Sequence, residues 1–364
     1  MRILMTTDTM GGVWTYTREL STQFLCRGSS VALVSFGRAP TATQRAWVDD
    51  QAAQWGGRFT FVVSETPLEW MRENAGAYSL GAPLLLDLAE SFGAELLLSS
   101  QYCFGALPCA IPRIVVAHSD VLSWAEACGK APLEPSEWLT QYCALVSEGL
   151  RRADAVVAPA AWMLHALADH FQIPREAKVI ANGRTLPGIR TDGRRRLQAV
   201  TAGRVWDEGK NVQMLADVAP ILPMLVAGEL GRDRSRFPRM HNRPYFLGLL
   251  TEERLIELFQ MSSMYICTSR YEPFGLAPLE AALCGCAVVA NDIPSLREVW
   301  GGAALFFDGA ESLSSLLAEL CHDGALLNET RERALARARE FTADRMAVDY
   351  LRLFDSLQVA SAAA

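Results

Sequence analysis

The chain has 364 residues, half of them hydrophobic and 21% charged, with a formal net charge of −7. That length exceeds the roughly 250 to 300 residues at which one core stops growing, so two domains are expected. The negative balance excludes a global basic field of the kind that recruits nucleic acid. No run approaches the ~20 apolar residues of a membrane helix. The apolar stretch after Arg2 is too short for a signal peptide, so the expected compartment is the cytoplasm.

Short β-rich apolar runs open the chain and recur along it: RILM, VALVSF from Val31, FTFVV from Phe59, LLLSS from Leu96, IVVAH from Ile114, AVVAP from Ala155 and KVIAN from Lys178. Segments of helical period separate many of them, such as Val13 to Arg27 just after Gly11 and Gly12. Continuously apolar strands alternating with helices point to a parallel sheet covered on both faces, the α/β pattern. A polar stretch, TDGRRR from Thr191 to Arg196, reads as a linker. A second series follows it: QAVTAG from Gln198, MLVAG from Met224, YFLG from Tyr245, MYICTS from Met264, AVVAN from Ala287 and ALFF from Ala304. The expected domains are 1–190 and 191–341, with 342–364 a final helix carrying Met346, Tyr350, Leu351 and Phe354 at helical spacing.

The nine cysteines are scattered, and the closest pair, Cys284 and Cys286, flanks a single glycine instead of a zinc-type spacing. Reduced, buried thiols and no metal site are expected. Arginines crowd two segments, Arg190 with Arg194 to Arg196, and Arg232, Arg234, Arg236, Arg239 and Arg243. Solvated loops are the plain expectation for both; attraction of an anionic ligand, acidic acceptor or lipid surface is the alternative.

Two doubly wound domains in series place ligands at the carboxyl ends of strands, so chemistry is sought there. Gly11 and Gly12 follow the first strand and precede a helix, suiting either a tight turn or a phosphate. His118 ends IVVAH, before Ser119 and Asp120, and is either a cap or packing residue or an imidazole that meets a substrate hydroxyl. In AGRVWDEGKN, Arg204 follows a strand and Lys210 is expected to open the next helix, two cations suited to a diphosphate or simply exposed. In EPFGLAPLE, Glu272 and Glu280 lie eight positions apart around Phe274, Gly275 and Leu276. Gly275 and Leu276 fall at an expected helix start where N–H groups can meet a phosphate. Glu280 is then placed for ribose hydroxyls and Glu272 for a sugar beyond the phosphates.

The EPFGLAPLEAALCGCAVVA segment, the GR…K loop and the first-strand GG loop resemble those of the retaining GT-B glycosyltransferases of family 4, glycosyl transferases group 1. The similarity spans nearly the whole chain and includes ADAVVAPAAWMLHAL, VIANG and CGCAVVANDIPSLREVWGGAALFF. It implies two Rossmann-like domains facing a central cleft and a metal-independent hexosyltransferase moving a hexose from a nucleotide sugar, UDP-glucose or a relative, to a hydroxyl acceptor. It implies further that Glu272 bonds the donor sugar, that Phe274, Gly275 and Leu276 line the sugar and phosphate pocket, and that Glu280 holds the ribose. Arg204 and Lys210 would bind the diphosphate. Gly11 and Gly12 would form the loop approaching the phosphates, and His118 would stand near the anomeric centre. No cofactor beyond the nucleotide sugar is implied, and transfer would retain configuration by same-face attack.

Two departures stand out. RDRSRFPRMHNR replaces a longer helical insert, and Arg184 stands where an apolar residue is common, adding a charge near the cleft. Trp70 and Tyr78 are candidates for stacking on an acceptor, with core packing the plainer use. A catalytically silent nucleotide-sugar-binding regulator and a nucleotide-sugar epimerase of the same fold are the alternatives. A dehydrogenase fits less well, lacking the glycine fingerprint, and a phosphorylase would need a cofactor lysine that none of Lys130, Lys178 and Lys210 suggests. The expected partners are the donor and an unidentified hydroxyl acceptor, not nucleic acid. The arginine cluster leaves peripheral membrane contact open without requiring it.

Overall fold

The structure, a computed structural model, describes residues 1–186, 188–189, 194–231 and 244–362. The arginine-rich stretch Arg232–Arg243, Arg190 and the first half of the linker, Thr191–Gly193, lie outside the described residues. The chain divides into two compact units. One comprises Met1–Glu126, Ala131–Gly183 and Ala343–Ala364; the other comprises Ala127–Lys130 and Arg184–Thr342.

The first unit runs β1 (Arg2–Asp8), α1 (Gly12–Cys26), β2 (Ser30–Phe36), α2 (Ala42–Trp55), β3 (Phe59–Val63), α3 (Ala77–Phe92), β4 (Leu96–Ser99), β5 (Arg113–Val116), α4 (Val121–Ala127), α5 (Glu137–Arg152), β6 (Ala155–Ala158), α6 (Ala161–Ala168) and β7 (Ala177–Val179). Its sheet is parallel, in the order β3-β2-β1-β4-β5-β6-β7. Strands β1, β2, β4 and β6 are buried almost throughout, which is why they read as unbroken apolar runs.

In the second unit β8 (Arg196–Ala202), β9 (Met224–Ala227), β10 (Tyr245–Gly248), α7 (Glu252–Met261), β11 (Ser262–Cys267), α8 (Leu276–Leu283), β12 (Ala287–Asn291), α9 (Pro294–Trp300), β13 (Leu305–Phe307), α10 (Gly309–His322) and α11 (Gly324–Ala338) follow in turn. This sheet is also parallel, ordered β10-β9-β8-β11-β12-β13. The last helix, α12 (Ala343–Ala362), belongs to the first unit. Its Met346, Tyr350, Leu353 and Phe354 join Tyr16, Leu20 and Phe24 of α1 in one buried cluster. The helical spacing of these residues foreshadows that apolar face.

Three sequence expectations need correction. Lys210 does not open an α-helix: it ends a 3₁₀ turn, Glu208–Lys210, and a second 3₁₀ turn, Val212–Ala216, follows. Asn211 between them has φ 49° and Pro220 and Pro223 come soon after, leaving too little chain in helical conformation for an α-helix to propagate. Arg195 is not solvated. Its Nη1 donates to Phe259 O at 3.2 Å and Ser262 O at 3.0 Å, and its Nη2 donates to Cys284 O, so one guanidinium neutralises the carbonyl ends of α7 and α8. Of the nine free thiols only Cys103, Cys267, Cys284 and Cys286 are buried, and Cys26 is exposed. Burial pushes Cys284 and Cys286 up to about 12, so these two are inert neutral thiols.

Candidate active site

In a doubly wound sheet the strand order reverses at one point, and the loops leaving the carboxyl ends there diverge to opposite faces. The reversal falls between β1 and β4 in the first unit and between β8 and β11 in the second. The loops that leave these four strands carry most of the sequence candidates.

At the first reversal Asp8 ends β1, and its Oδ1 accepts the Met10 N–H at 2.7 Å, turning the chain toward α1. Gly11 has φ 60° and ψ −135°, a conformation that a side chain would strain, and α1 begins without a side-chain cap, its first N–H groups at an exposed turn. His118 follows the neighbouring strand β5. Its Nε2 lies 3.3 Å from Ser100 Oγ, after β4, and its ring meets Tyr16 edge-on with centroids 4.6 Å apart. Burial lowers His118 to about 4, although the residue is only partly buried, so the imidazole is neutral at pH 7. Tyr16 in turn donates its hydroxyl to Tyr350 of α12 at 2.7 Å. The capping role that the sequence offered His118 belongs to Asp120, whose Oδ1 accepts from Leu122 N at 2.8 Å and Ser123 N at 2.9 Å.

At the second reversal the loop after β8 is stitched to the loop after β11. Gly209 O accepts from Arg270 N at 2.8 Å and Tyr271 N at 3.2 Å, and Thr268 Oγ1 donates to Lys210 O at 2.7 Å. This brings Lys210 Nζ onto Glu272 Oε2 at 2.5 Å, while Ser269 Oγ donates to the same oxygen at 3.1 Å. Both charged side chains are largely shielded, 23% and 12% exposed. Arg204 is more open, 43% exposed, and grips Asp207 Oδ2 through Nε at 3.1 Å and Nη2 at 2.6 Å. Burial opposes ionisation of Asp207, but Arg204 and the Gly209 N–H outweigh it and hold the carboxyl below its ordinary value. The two cations expected to await a diphosphate therefore each hold a carboxylate.

The turn into α8 is a glycine position for two reasons. Gly275 has φ 93°, and a Cβ there would stand 2.7 Å from Pro278 Cγ. Gly275 is the N-cap, with no side-chain cap on the helix, so Leu276 and Ala277 carry the helix-start N–H groups, Pro278 having none. The Phe274 side chain is buried at 3% exposure against Phe341, ring centroids 5.3 Å apart. Its side chain is packed within the second unit instead of standing open to solvent.

Glu280 lies on α8 as expected, yet its Oε1 accepts from Arg184 Nε at 2.7 Å. Arg184 Nη2 also pairs with Glu252 on α7, and the arginine side chain is only 2% exposed. Arg184 is thus a buried ion-pair centre, its charge matched by two carboxylates. In the first unit Tyr78 packs, donating to Ala106 O at 3.1 Å, while Trp70 stays 39% exposed. Glu69, just before Trp70, carried no signal in the sequence: it is 2% exposed, accepts from Tyr102 N at 2.8 Å, and burial raises it to about 7. Ser269 and Tyr16 were also missed; a serine three residues before Glu272 was the only available hint.

Each sheet thus carries at its carboxyl edge a cluster of polar groups beside an uncapped helix start, a neutral imidazole in the first unit and paired cations in the second, on the doubly wound plan of an α/β protein; comparison gives the class. The model "Glycosyltransferase Family 4" matches residues 10–186 and "Glycosyl transferases group 1" matches residues 203–341. The chain belongs to this glycosyltransferase family, with the GT-B fold. Among curated proteins it is similar to the Escherichia coli serotype-specific mannosyltransferase WbdA, 33% identical over 99 residues, covering 27% of this chain and only 12% of that relative. Among solved structures it resembles sucrose-phosphate synthase from Thermosynechococcus elongatus, with TM-score 0.79, 16% identity and 99% of each chain covered. It also resembles Anabaena HepE in complex with UDP and glucose, with TM-score 0.72, 18% identity, and coverage of 98% of this chain and 100% of the other. Among the described residues no helix is long and apolar enough to cross a membrane.

Proposed function

We propose that the protein is a retaining hexosyltransferase that moves a hexose from a nucleotide sugar, UDP-glucose or a relative, to a hydroxyl acceptor without a metal. The observation that carries this is the Lys210–Glu272 pair at the strand-order reversal of the second sheet, beside the uncapped start of α8. A diphosphate arriving there competes for Lys210 and Arg204, and each cation it takes releases a carboxylate. Glu272, released from Lys210, is free to accept the hydroxyls of the transferred sugar. The Gly275–Leu276 backbone meets the phosphates and Glu280 the ribose. As the sugar–phosphate bond breaks, charge grows on the leaving diphosphate, and the same cations stabilise it in the way a metal would. His118, neutral at pH 7, suits a hydrogen bond to a sugar hydroxyl. The sequence similarity to a mannosyltransferase favours a hexose, and the UDP and glucose bound in HepE favour a UDP-sugar.

The test is incubation with UDP-, GDP- and ADP-sugars in EDTA, reading nucleotide release and thermal shift, with the product anomer assigned by NMR. Release from one donor with retained configuration is expected. If no donor binds or turns over, the transferase assignment fails; binding without turnover across a broad acceptor library would mark a regulatory binder. Glu272→Gln should keep nucleotide affinity within a few-fold and lose turnover by roughly two orders of magnitude; unchanged turnover would remove Glu272 from the sugar site.

A further inference from the structure

Arg184 is the most deeply buried arginine near the candidate site, and its partners come from three separate stretches of the second unit. Its Nε donates to Glu280 Oε1 on α8 at 2.7 Å, its Nη2 pairs with Glu252 at the start of α7, and its backbone N–H donates to Phe341 O at 3.0 Å. A guanidinium 2% exposed is costly to desolvate and persists only where carboxylates compensate it. Glu280 by itself is a flexible side chain, 14% exposed, with several rotatable bonds between helix and carboxylate. The guanidinium of Arg184 limits that freedom by holding Glu280 Oε1, while Glu252 holds the guanidinium and the Phe341 carbonyl holds the Arg184 backbone.

We infer that Arg184 is a positioning residue that presets Glu280 for the ribose diol of the donor nucleotide, and so sets the preference of the site for ribose over deoxyribose. This rests on the assignment of Glu280 to the ribose. A carboxylate already aligned binds a vicinal diol without the ordering cost of a mobile one, and it binds nothing where the hydroxyls are missing. Lysine would not serve. A single ammonium cannot hold two carboxylates from two helices in fixed planes as the guanidinium does. Glu252 takes a different nitrogen, Nη2, balancing the guanidinium so that its charge is not drawn wholly to Glu280.

The experiment measures dissociation constants of the purified full chain for UDP and GDP and for their 2′,3′-dideoxy counterparts, in wild type, Glu280→Gln, Arg184→Lys and the charge-compensated double variant Arg184→Met/Glu252→Gln. The wild type should prefer the ribonucleotide that it binds by about tenfold or more over the dideoxy form, and Glu280→Gln should abolish that preference. The double variant should lose most of the preference while binding the dideoxy nucleotide as the wild type does, a change that lowered stability alone would not produce. Arg184→Lys should fall between them and decides the matter if the double variant does not fold. A full wild-type preference in either Arg184 variant overturns the inference. A preference that survives in Glu280→Gln, or is absent from the wild type, instead overturns the assignment of Glu280 to the ribose.

Discussion

Replacing Lys210 by Met and Glu272 by Gln, singly and together, isolates the interaction on which the proposed donor site is built. The ammonium and carboxylate meet at 2.5 Å with 23% and 12% of their side chains exposed, so water screens them only in part. With charge centres about 4 Å apart and an effective dielectric of about 20, the gross attraction is about 4 kcal/mol. Desolvation and the ordering of a long lysine take back much of it, leaving a coupling on the order of 1 to 2 kcal/mol. Each single variant should lose about 1 to 3 kcal/mol, because it strands the remaining charge, and the double variant should lose less than the sum. With two compact units, a global unfolding midpoint would mix their stabilities. Native-state hydrogen exchange resolved by peptide reads the second unit alone, in unliganded samples. A coupling below about 0.3 kcal/mol would show that the two side chains act independently, and would remove the competition by which a diphosphate frees Glu272.

Arg204→Ala should weaken nucleoside diphosphate binding by about 1 to 3 kcal/mol and change stability by less than about 0.5 kcal/mol, since Arg204 is 43% exposed; calorimetric titration and hydrogen exchange give the two numbers. His118 is lowered from 6.5 to about 4, so the unfolded chain binds the extra proton and stability is full above about pH 6.5 and falls as the pH drops toward 4. His118→Gln should remove that fall, at most about 3 kcal/mol and nearer 1 to 2 once the residue's partial exposure is allowed for, as read by the pH dependence of exchange in the first unit. Glu69 has the opposite sign. Raised from 4.5 to about 7, it stabilises the folded protein fully below about pH 4.5 and loses that contribution as the pH rises through 7. Glu69→Gln, whose amide oxygen can still accept the Tyr102 N–H, should flatten this slope of about 2 to 3 kcal/mol; an unchanged slope would assign it to another group.

Local sequence carried the fold because burial on both faces leaves a direct signature: β2, β4, β6 and β12 are largely apolar for physical reasons that act within each strand. The glycine at Gly275, the start of α8 and the apolar face of α12 were legible in the same way, each set by backbone conformation or helical period. The 3₁₀ turns after β8 were not, since a left-handed Asn211 and two later prolines overrode the helix that the α/β rhythm suggested.

Residue types and their approximate places were therefore determined by the sequence itself, whereas which charge meets which was decided only by the tertiary structure. Lys210 and Glu272 are 62 positions apart, and Arg184 and Glu280 are 96 apart. Neither pair has a local pattern. Lys210 and Glu272 meet because β8 and β11 lie side by side where the strand order reverses, and Arg184 reaches Glu280 and Glu252 because α7 and α8 pack together beside it. An ion pair depends on distances across a fold, and those distances exist only once the sheet has chosen its order.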